Sequence, residues 1–251
     1  MDRLRVLGHN DLDGEAGTAI VSLAHPDAHC VVSHNTYGNI NEELFKALTE
    51  TVRPYKRIIL VDIAMEPPGE AKPGSVDSSK SNLINDKLPE AVVEYVRAGG
   101  ELVVLDHHPR ALLVKAYYGR WLHGDSLLET KDRFGVKRAG SELAARYYMN
   151  LQEFRAHPRL NAAVVEWGRL TGAYDCFRTD DADFEMGSQL AMAESLMFDP
   201  AGCHRDMLKI LERAADTGVQ NPFDWPSLLA YTAFGAYFQQ APGVFEAAVT
   251  A

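Results

Sequence analysis

Along the first half of the chain the apolar residues keep switching between two rhythms. Short β-rich runs at residues 4–7, 29–33, 57–61 and 101–105 read as strands. Between them, residues 15–23, 41–52 and 86–97 carry apolar positions at helical spacing, and Gly99-Gly100 supplies a helix stop before the fourth run. Strand and helix in alternation predict an α/β fold: an open, mostly parallel sheet with helices on both faces, joined by right-handed crossovers. Residues 67–82, PPGEAKPGSVDSSKSN, have no periodicity and are rich in Pro, Gly and Ser, which predicts a surface loop between the third strand and its helix.

Beyond Arg138 the two-residue rhythm disappears and the pattern becomes helical, with candidates at 141–149, 161–170, 184–196, 205–215 and 227–238. This is a helical C-terminal part. No internal repeat is visible, and the ending QQAPGVFEAAVTA carries no evident helix cap, as expected of a natural short terminus or of a chain that continues further.

Composition narrows the class without naming a function. The 251 residues, 46% of them hydrophobic, suffice for a sizeable core, and no apolar run reaches membrane-spanning length. With the opening MDRLRVLGHND passing straight into a strand, a cytoplasmic protein with no membrane partner is expected. Cys30, Cys176 and Cys203 are odd in number and widely spaced, and are read as small buried or half-buried side chains, without disulfides or a thiolate zinc site. A net charge of −10 argues against long duplex DNA as a partner, because that binding neutralises many phosphates. Locally the balance reverses: residues 110–138 hold seven Lys/Arg against three acids, which is either a solvated face or a place for substrate phosphates, with Arg110 and Lys115 as candidates.

The chemistry gathers where strands stop. The first strand runs into GHNDLDG with His9, Asp11 and Asp13, the third into VDIA with Asp62, and the fourth into LDHHPR with Asp106, His107 and His108. In a parallel sheet these ends share one edge, where ligands bind. Adding Asp175 from AYDCF gives five carboxylates and three imidazoles, whose mutual repulsion calls for a cation. Asp/His sets without Cys suit divalent Mn, Mg, Fe or Zn, the carboxylate majority favours the harder ions, and the surplus of ligands favours two of them. Taken singly, Asp13 reads as an N-cap, Asp62 as a turn initiator and His9 as a half-buried imidazole; together those readings would need independent accidents at matching positions.

HNDLDG, VDIA, LDHHPR and YDCF, in this order, resemble the DHH phosphoesterase family across residues 1 to about 180. YGNIN (37–41) and RAGSELAARYY (138–148) resemble its branch of nanoRNases, or oligoribonucleases, and cyclic-nucleotide phosphodiesterases. The resemblance implies a DHH domain over 1–180 and a helical extension over 181–251. It implies two divalent ions, Mn2+ first and Mg2+ or Fe2+ next: one held by His9, Asp11 and Asp62, the other by Asp13, Asp62, His107 and Asp175, with Asp62 shared. Asp106 becomes an auxiliary ligand and His108 faces the substrate phosphate, the two completing the catalytic set. The glycine-rich, His-containing motif of the family's DHH-associated domain is missing.

The expected activity is therefore hydrolysis of phosphoester bonds in short oligonucleotides or small nucleotides by a hydroxide activated between two metals. Inorganic pyrophosphatases or polyphosphatases of the same superfamily are the rival, but they resemble H-x-x-x-D-x-D, whereas this chain has H-x-D-x-D. A non-catalytic nucleic-acid-binding scaffold would be expected to have lost ligands that are all present here. A Rossmann-type nucleotide module would need a glycine-rich turn where this chain places acids. Oligomeric state leaves no trace in the sequence.

Overall fold

The structure, a computed structural model, describes residues 1–67, 78–151, 158–197 and 199–217, together with 232, 233, 236 and 237. Its centre is a five-stranded parallel sheet in the order β2-β1-β3-β4-β5: β1 Arg3–His9, β2 His29–Asn35, β3 Arg57–Val61, β4 Glu101–Asp106 and β5 Leu127–Leu128. The chain steps from β1 to one side, then returns to build β3 and its successors on the other. The order therefore reverses between β1 and β3, where an open α/β sheet leaves a crevice at its carboxyl edge.

Alternation along the strands divides the core in two. Val6, Ile59, Val61, Val103 and Leu105 face one layer, built from α1 (Leu12–Leu23), α5 (Gly140–Asn150), α6 (Pro158–Asp175), α7 (Phe184–Met197) and α8 (Pro200–Thr217). Leu7, Ile58, Leu60, Leu102 and Val104 face the other, built from α2 (Ile40–Leu48), α3 (Ser78–Arg97) and α4 (Pro109–Tyr118). Successive residues point to opposite faces and both faces of β3 and β4 are covered, so Ile58–Val61 and Leu102–Leu105 are apolar without a break. Helix α1 is sandwiched between the sheet and α5, α6 and α8, and every residue from Leu12 to Val21 is buried.

Several boundaries differ from the sequence reading. Helix α2 stops at Leu48, not at 52: the Thr49 hydroxyl donates to the Phe45 carbonyl at 2.8 Å, and Val52, which prolonged the apolar period, is exposed. Helix α3 begins at Ser78, inside the stretch read as a loop, while residues 68–77 of that loop lie outside the described residues. Its end is as expected: Gly99 N donates to Val96 O at 3.0 Å and Gly100 N to Tyr95 O at 3.0 Å. Helix α4 and β5 had no counterpart in the reading. Most of the helix expected at 227–238 lies outside the described residues.

The amino edge of the sheet is tied by paired charges. Arg57 and Glu101 sit opposite each other in register, and Arg57 Nε donates to Glu101 Oε2 at 2.5 Å. The same guanidinium donates to Tyr147 Oη of α5 at 2.7 Å, and His25 Nε2 lies 2.8 Å from that hydroxyl. At the carboxyl edge, by contrast, Asp62, Asp106 and His107 keep buried side-chain atoms without a hydrogen-bond partner.

Candidate metal centre

At the end of β1 the chain enters α1 with Asp11 as N-cap, its Oδ1 accepting from Gly14 N at 3.0 Å and its Oδ2 lying 2.5 Å from His9 Nδ1. The capping role that the sequence allowed for Asp13 thus falls to Asp11, because the helix starts at Leu12. Asp13 caps a different helix: buried within the first turn of α1, it accepts from Gly140 N at 2.6 Å, Ser141 N at 3.1 Å and the Ser141 hydroxyl, at the amino end of α5.

Asp62 follows β3 and is 0% exposed. Its N–H still joins the sheet, donating to Leu105 O at 2.8 Å, but its φ of +59° breaks the strand and turns the side chain. Such a conformation is tolerated by Asp better than by most residues and costs energy even there. Room for it comes from Gly140: a Cβ at that position would lie 2.4 Å from Asp62 Cβ and 2.7 Å from its Oδ1. Neither Asp62 carboxylate oxygen has a hydrogen-bond partner. Burial first, then Asp13, Asp11, Asp175 and Asp106, push its pKa well above the usual carboxylate range.

From β4 comes Asp106, buried, whose Oδ1 lies 2.8 Å from His108 Nδ1 and accepts from His108 N at 3.3 Å. Burial alone would lower the His108 pKa; the hydrogen bond and charge of Asp106 outweigh it and the net shift is upward. His107 goes the opposite way, burial lowering its pKa and favouring the neutral, ligating imidazole. Its Nε2 stands 3.0 Å from Asp62 Oδ1, 3.3 Å from Asp175 Oδ2 and 4.0 Å from Asp13 Oδ2, and makes no hydrogen bond. Asp175 closes α6, its pKa pushed up to about 7 by burial and then by Asp13 and Asp11.

These distances fit a divalent ion. Two ligands each about 2.1 Å from an octahedral centre sit ~3.0 Å apart when adjacent and ~4.2 Å apart when opposite, and the His107 separations fall in that range. Three groups have ligand atoms close enough to share an ion: His9, Asp11 and Asp62; Asp62, His107 and His108; and His107, Asp175 and Cys176. The first shares Asp62 with the second. Thus His9, Asp11, Asp13, Asp62, Asp106, His107, His108 and Asp175, drawn from three strand ends and a helix end, converge.

Arg110 and Lys115 do not join them so directly. The Arg110 guanidinium is paired with Glu66, and Lys115 is exposed six residues along α4 from Pro109, about 9 Å down the helix axis. Three contributors escaped the sequence reading. Tyr37 stands over two half-buried imidazoles, its ring centre 5.3 Å from that of His9 and 5.6 Å from that of His108, with its hydroxyl buried and unpartnered. YGNIN was the available signal, read only as a branch marker. Gly140 and Ser141 are the other pair, and their motif RAGSE gave no hint of contact with acids more than seventy residues upstream. A cavity of about 170 Å³ opens beside Asp11, Asp13 and Asp175, walled by Tyr174 of α6 and by Glu194 and Ser195 of α7. A larger hollow of about 740 Å³ lies at the opposite end of the strands, around Arg3, Tyr55 and Tyr95, away from the clustered ligands.

Among the described residues no helix is long and apolar enough to cross a membrane. No family model matches the sequence, and no curated protein matches it either. Among solved structures the chain is similar to an uncharacterised protein from Helicobacter pylori G27, with a TM-score of 0.55 and 16% identity over 96% of this chain and 62% of that one. It is matched with a TM-score of 0.38 and 14% identity by RecJ in complex with Mn2+ from Thermus thermophilus, over 96% of this chain and 35% of that one. It is also matched with a TM-score of 0.36 and 17% identity by an exonuclease RecJ bound to manganese, over 96% of this chain and 61% of that one. The chain therefore spans about three fifths of the length of the Helicobacter pylori protein, and that likeness is one of fold.

Proposed function

We propose that the chain is a metal-dependent phosphoesterase of the DHH family, cleaving phosphoester bonds of short oligonucleotides or small nucleotides. One observation carries the reading: Asp62, fully buried at positive φ, offers two donorless oxygens, one 3.0 Å from His107 Nε2 and the other 3.7 Å from His9 Nδ1. A buried carboxylate without donors is costly unless cations stand in for them. His9, Asp11 and Asp62 would hold one ion, and Asp13, Asp62, His107 and Asp175 the other; Mn2+ suits this mixed donor set first, with Mg2+ or Fe2+ next. Bound there, such ions supply a water of lowered pKa and neutralise phosphate oxygens.

The chain's own groups divide the remaining work. Asp106 fixes the His108 ring through Nδ1 and favours its protonated form, in which Nε2 is a donor toward a phosphate or leaving-group oxygen. Asp13 keeps one acceptor site, on Oδ2, for an ion while its hydrogen bonds lock α5 against the centre, because Oδ1 takes both Ser141 donors and Oδ2 only Gly140 N. The test is metal content followed by turnover on short oligoribonucleotides, 3′-phosphoadenosine 5′-phosphate, cyclic nucleotides and pyrophosphate. Mn2+-dependent hydrolysis of an ester, with pyrophosphate poor, is expected; a metal-loaded protein that turns over none of the esters refutes the reading.

A further inference from the structure

Between β5 and α5 the chain makes a small hairpin that the centre described above does not use. Lys131 and Lys137 pair across it in antiparallel fashion, Asp132 N donates to Val136 O at 2.8 Å, and Arg138 N donates to Thr130 O at 3.1 Å. Asp132 fixes the tip from inside, its Oδ1 accepting from Phe134 N at 2.8 Å and Val136 N at 2.9 Å, while Arg138 donates to its Oδ2 at 3.3 Å. Gly135 takes the positive φ of +83° that such a three-residue loop demands. The one acid of the hairpin is thus consumed internally, together with Arg138.

What the hairpin presents outward is different. Phe134 is 76% exposed and Val136 45%, and the Arg133 guanidinium lies over the Phe134 ring at 4.7 Å. Lys131, Arg133 and Lys137 are exposed, and among the described residues none of them is ion-paired to an acid. In a chain of net charge −10 this is a local cationic tip built around an exposed aromatic ring. Such a tip has no part to play in a core. Its base, by contrast, is anchored to the candidate centre: Arg178, three residues past Asp175, donates to Lys137 O at 3.3 Å and to Glu142 Oε1 at 2.8 Å. Three residues beyond Lys137 comes Gly140, against Asp62.

We infer that the hairpin 131–137 is a strand-binding finger, on which a single-stranded oligonucleotide lays one base against Phe134 and its backbone phosphates against Lys131, Arg133 and Lys137. Rings stack on bases of any sequence and lysines follow the backbone, which is how single strands are held without base-specific hydrogen bonds. The inference rests on the phosphoesterase reading above and gives its substrate a shape: longer than a dinucleotide, single-stranded, and short. Six residues separate Phe134 from Gly140, so the ring lies within about 20 Å of the centre's rim. At ~3.4 Å per phosphate this is no more than about six nucleotides from scissile bond to stacked base.

The test uses the full chain and a fluorescently labelled single-stranded hexanucleotide, with binding followed by anisotropy in EDTA so that no turnover is needed. Phe134→Ala is expected to weaken binding by about tenfold or more, and Phe134→Trp to restore it. In Lys131→Ala/Lys137→Ala the slope of log affinity against log salt falls by about 1.4, two single-strand phosphate contacts' worth. With Mn2+, the loss of kcat/KM on the hexanucleotide in Phe134→Ala exceeds that on a dinucleotide by a similar factor and sits in KM. Equal affinity and equal salt slope in all variants overturn the inference, as do equal losses on hexanucleotide and dinucleotide. So does a change of sedimentation mass in Phe134→Ala without a change in binding, since the face then belongs to a protein partner. A wild-type chain that binds the hexanucleotide through the finger yet hydrolyses no ester sinks the phosphoesterase reading and leaves the finger standing.

Discussion

Replacing Asp62 by Asn separates what the centre does for chemistry from what it costs the fold. Asp62 is fully buried, lacks hydrogen-bond donors, and feels Asp13, Asp11, Asp175 and Asp106 as like charges. Asn has nearly the same shape and tolerates φ near +59° as well as Asp does, so the change removes charge with little added strain. An amide is still a buried polar group, so what the substitution removes is the charge and its repulsion from four neighbouring acids; in the metal-free protein, at a pH high enough to ionise Asp62, that relief is about 1–3 kcal/mol and raises Tm by roughly 2–12 °C for a chain of this size. With Mn2+ the order inverts. Wild type gains about 2.7 kcal/mol when Mn2+ is a hundredfold above its Kd, whereas Asp62→Asn loses the ligand common to both ions and gains little. Calorimetric melting of both proteins, in EDTA and in Mn2+, reads the four values directly. If Asp62→Asn melts below wild type in EDTA, or responds to Mn2+ as wild type does, then Asp62 is stabilised by something other than a cation and the account of the centre is wrong.

Gly140→Ala drives a methyl to 2.4 Å from Asp62 Cβ, so α5 or Asp62 must shift; destabilisation of about 1–3 kcal/mol and weaker Mn2+ binding by calorimetric titration are expected, and a neutral variant would mean the contact is slack. His108→Ala keeps its metals by elemental analysis but loses turnover roughly a hundredfold, the scale for a positioned proton donor; loss of an ion as well would make His108 a ligand, a role its closeness to Asp62 and His107 permits. Metal-free stability also depends on pH with a definite sign. Asp175 and Glu194 have folded pKa values pushed up to about 7 and Glu15 to about 8, chiefly by burial, so the stability they lend is complete below their unfolded values near 4 and lost as pH rises through 7 to 8. His25, His34 and His204, lowered to about 4 by burial, act in the opposite sense, but only below their unfolded value of 6.5. Urea midpoints in EDTA should therefore fall between about pH 6.5 and 8 and level off above, and a flat or rising profile within that window contradicts the burial of these acids.

Much of the centre could be read in the sequence because it sits where apolar runs end. Val6–Gly8, Ile58–Val61 and Leu102–Leu105 are buried without a polar side chain among them, so the acids and histidines that follow stand out. Helix α4 was invisible for the converse reason: Leu112 and Leu113 are exposed while Ala111, Val114 and Tyr118 are buried, which blurs the stripe a reader looks for. β5, two residues long, is too short to show a period. Interactions across large sequence distances were also beyond reach. Asp13 looks like a cap for its own helix and caps α5 instead, and Tyr37 meets His9 and His108 only because β2 lies beside β1. The exposure of Phe134, which turns a run of mixed charge into a finger, depends on a turn held by Asp132.

The tie at the amino edge of the sheet has a consequence in time. Where Arg57 and Glu101 pair their charges and Tyr147 and His25 add hydrogen bonds, the strands begin on a fastened end; at the other, Asp62, Asp106 and His107 keep buried atoms without partners. Local opening starts where contacts are poorest. In the metal-free protein, amide exchange along β3 and β4 should then run as a gradient, slow at Ile58 and Leu102 and progressively faster toward Val61 and Leu105. Divalent ions, by supplying the missing partners, should flatten that gradient so that each strand exchanges as one unit.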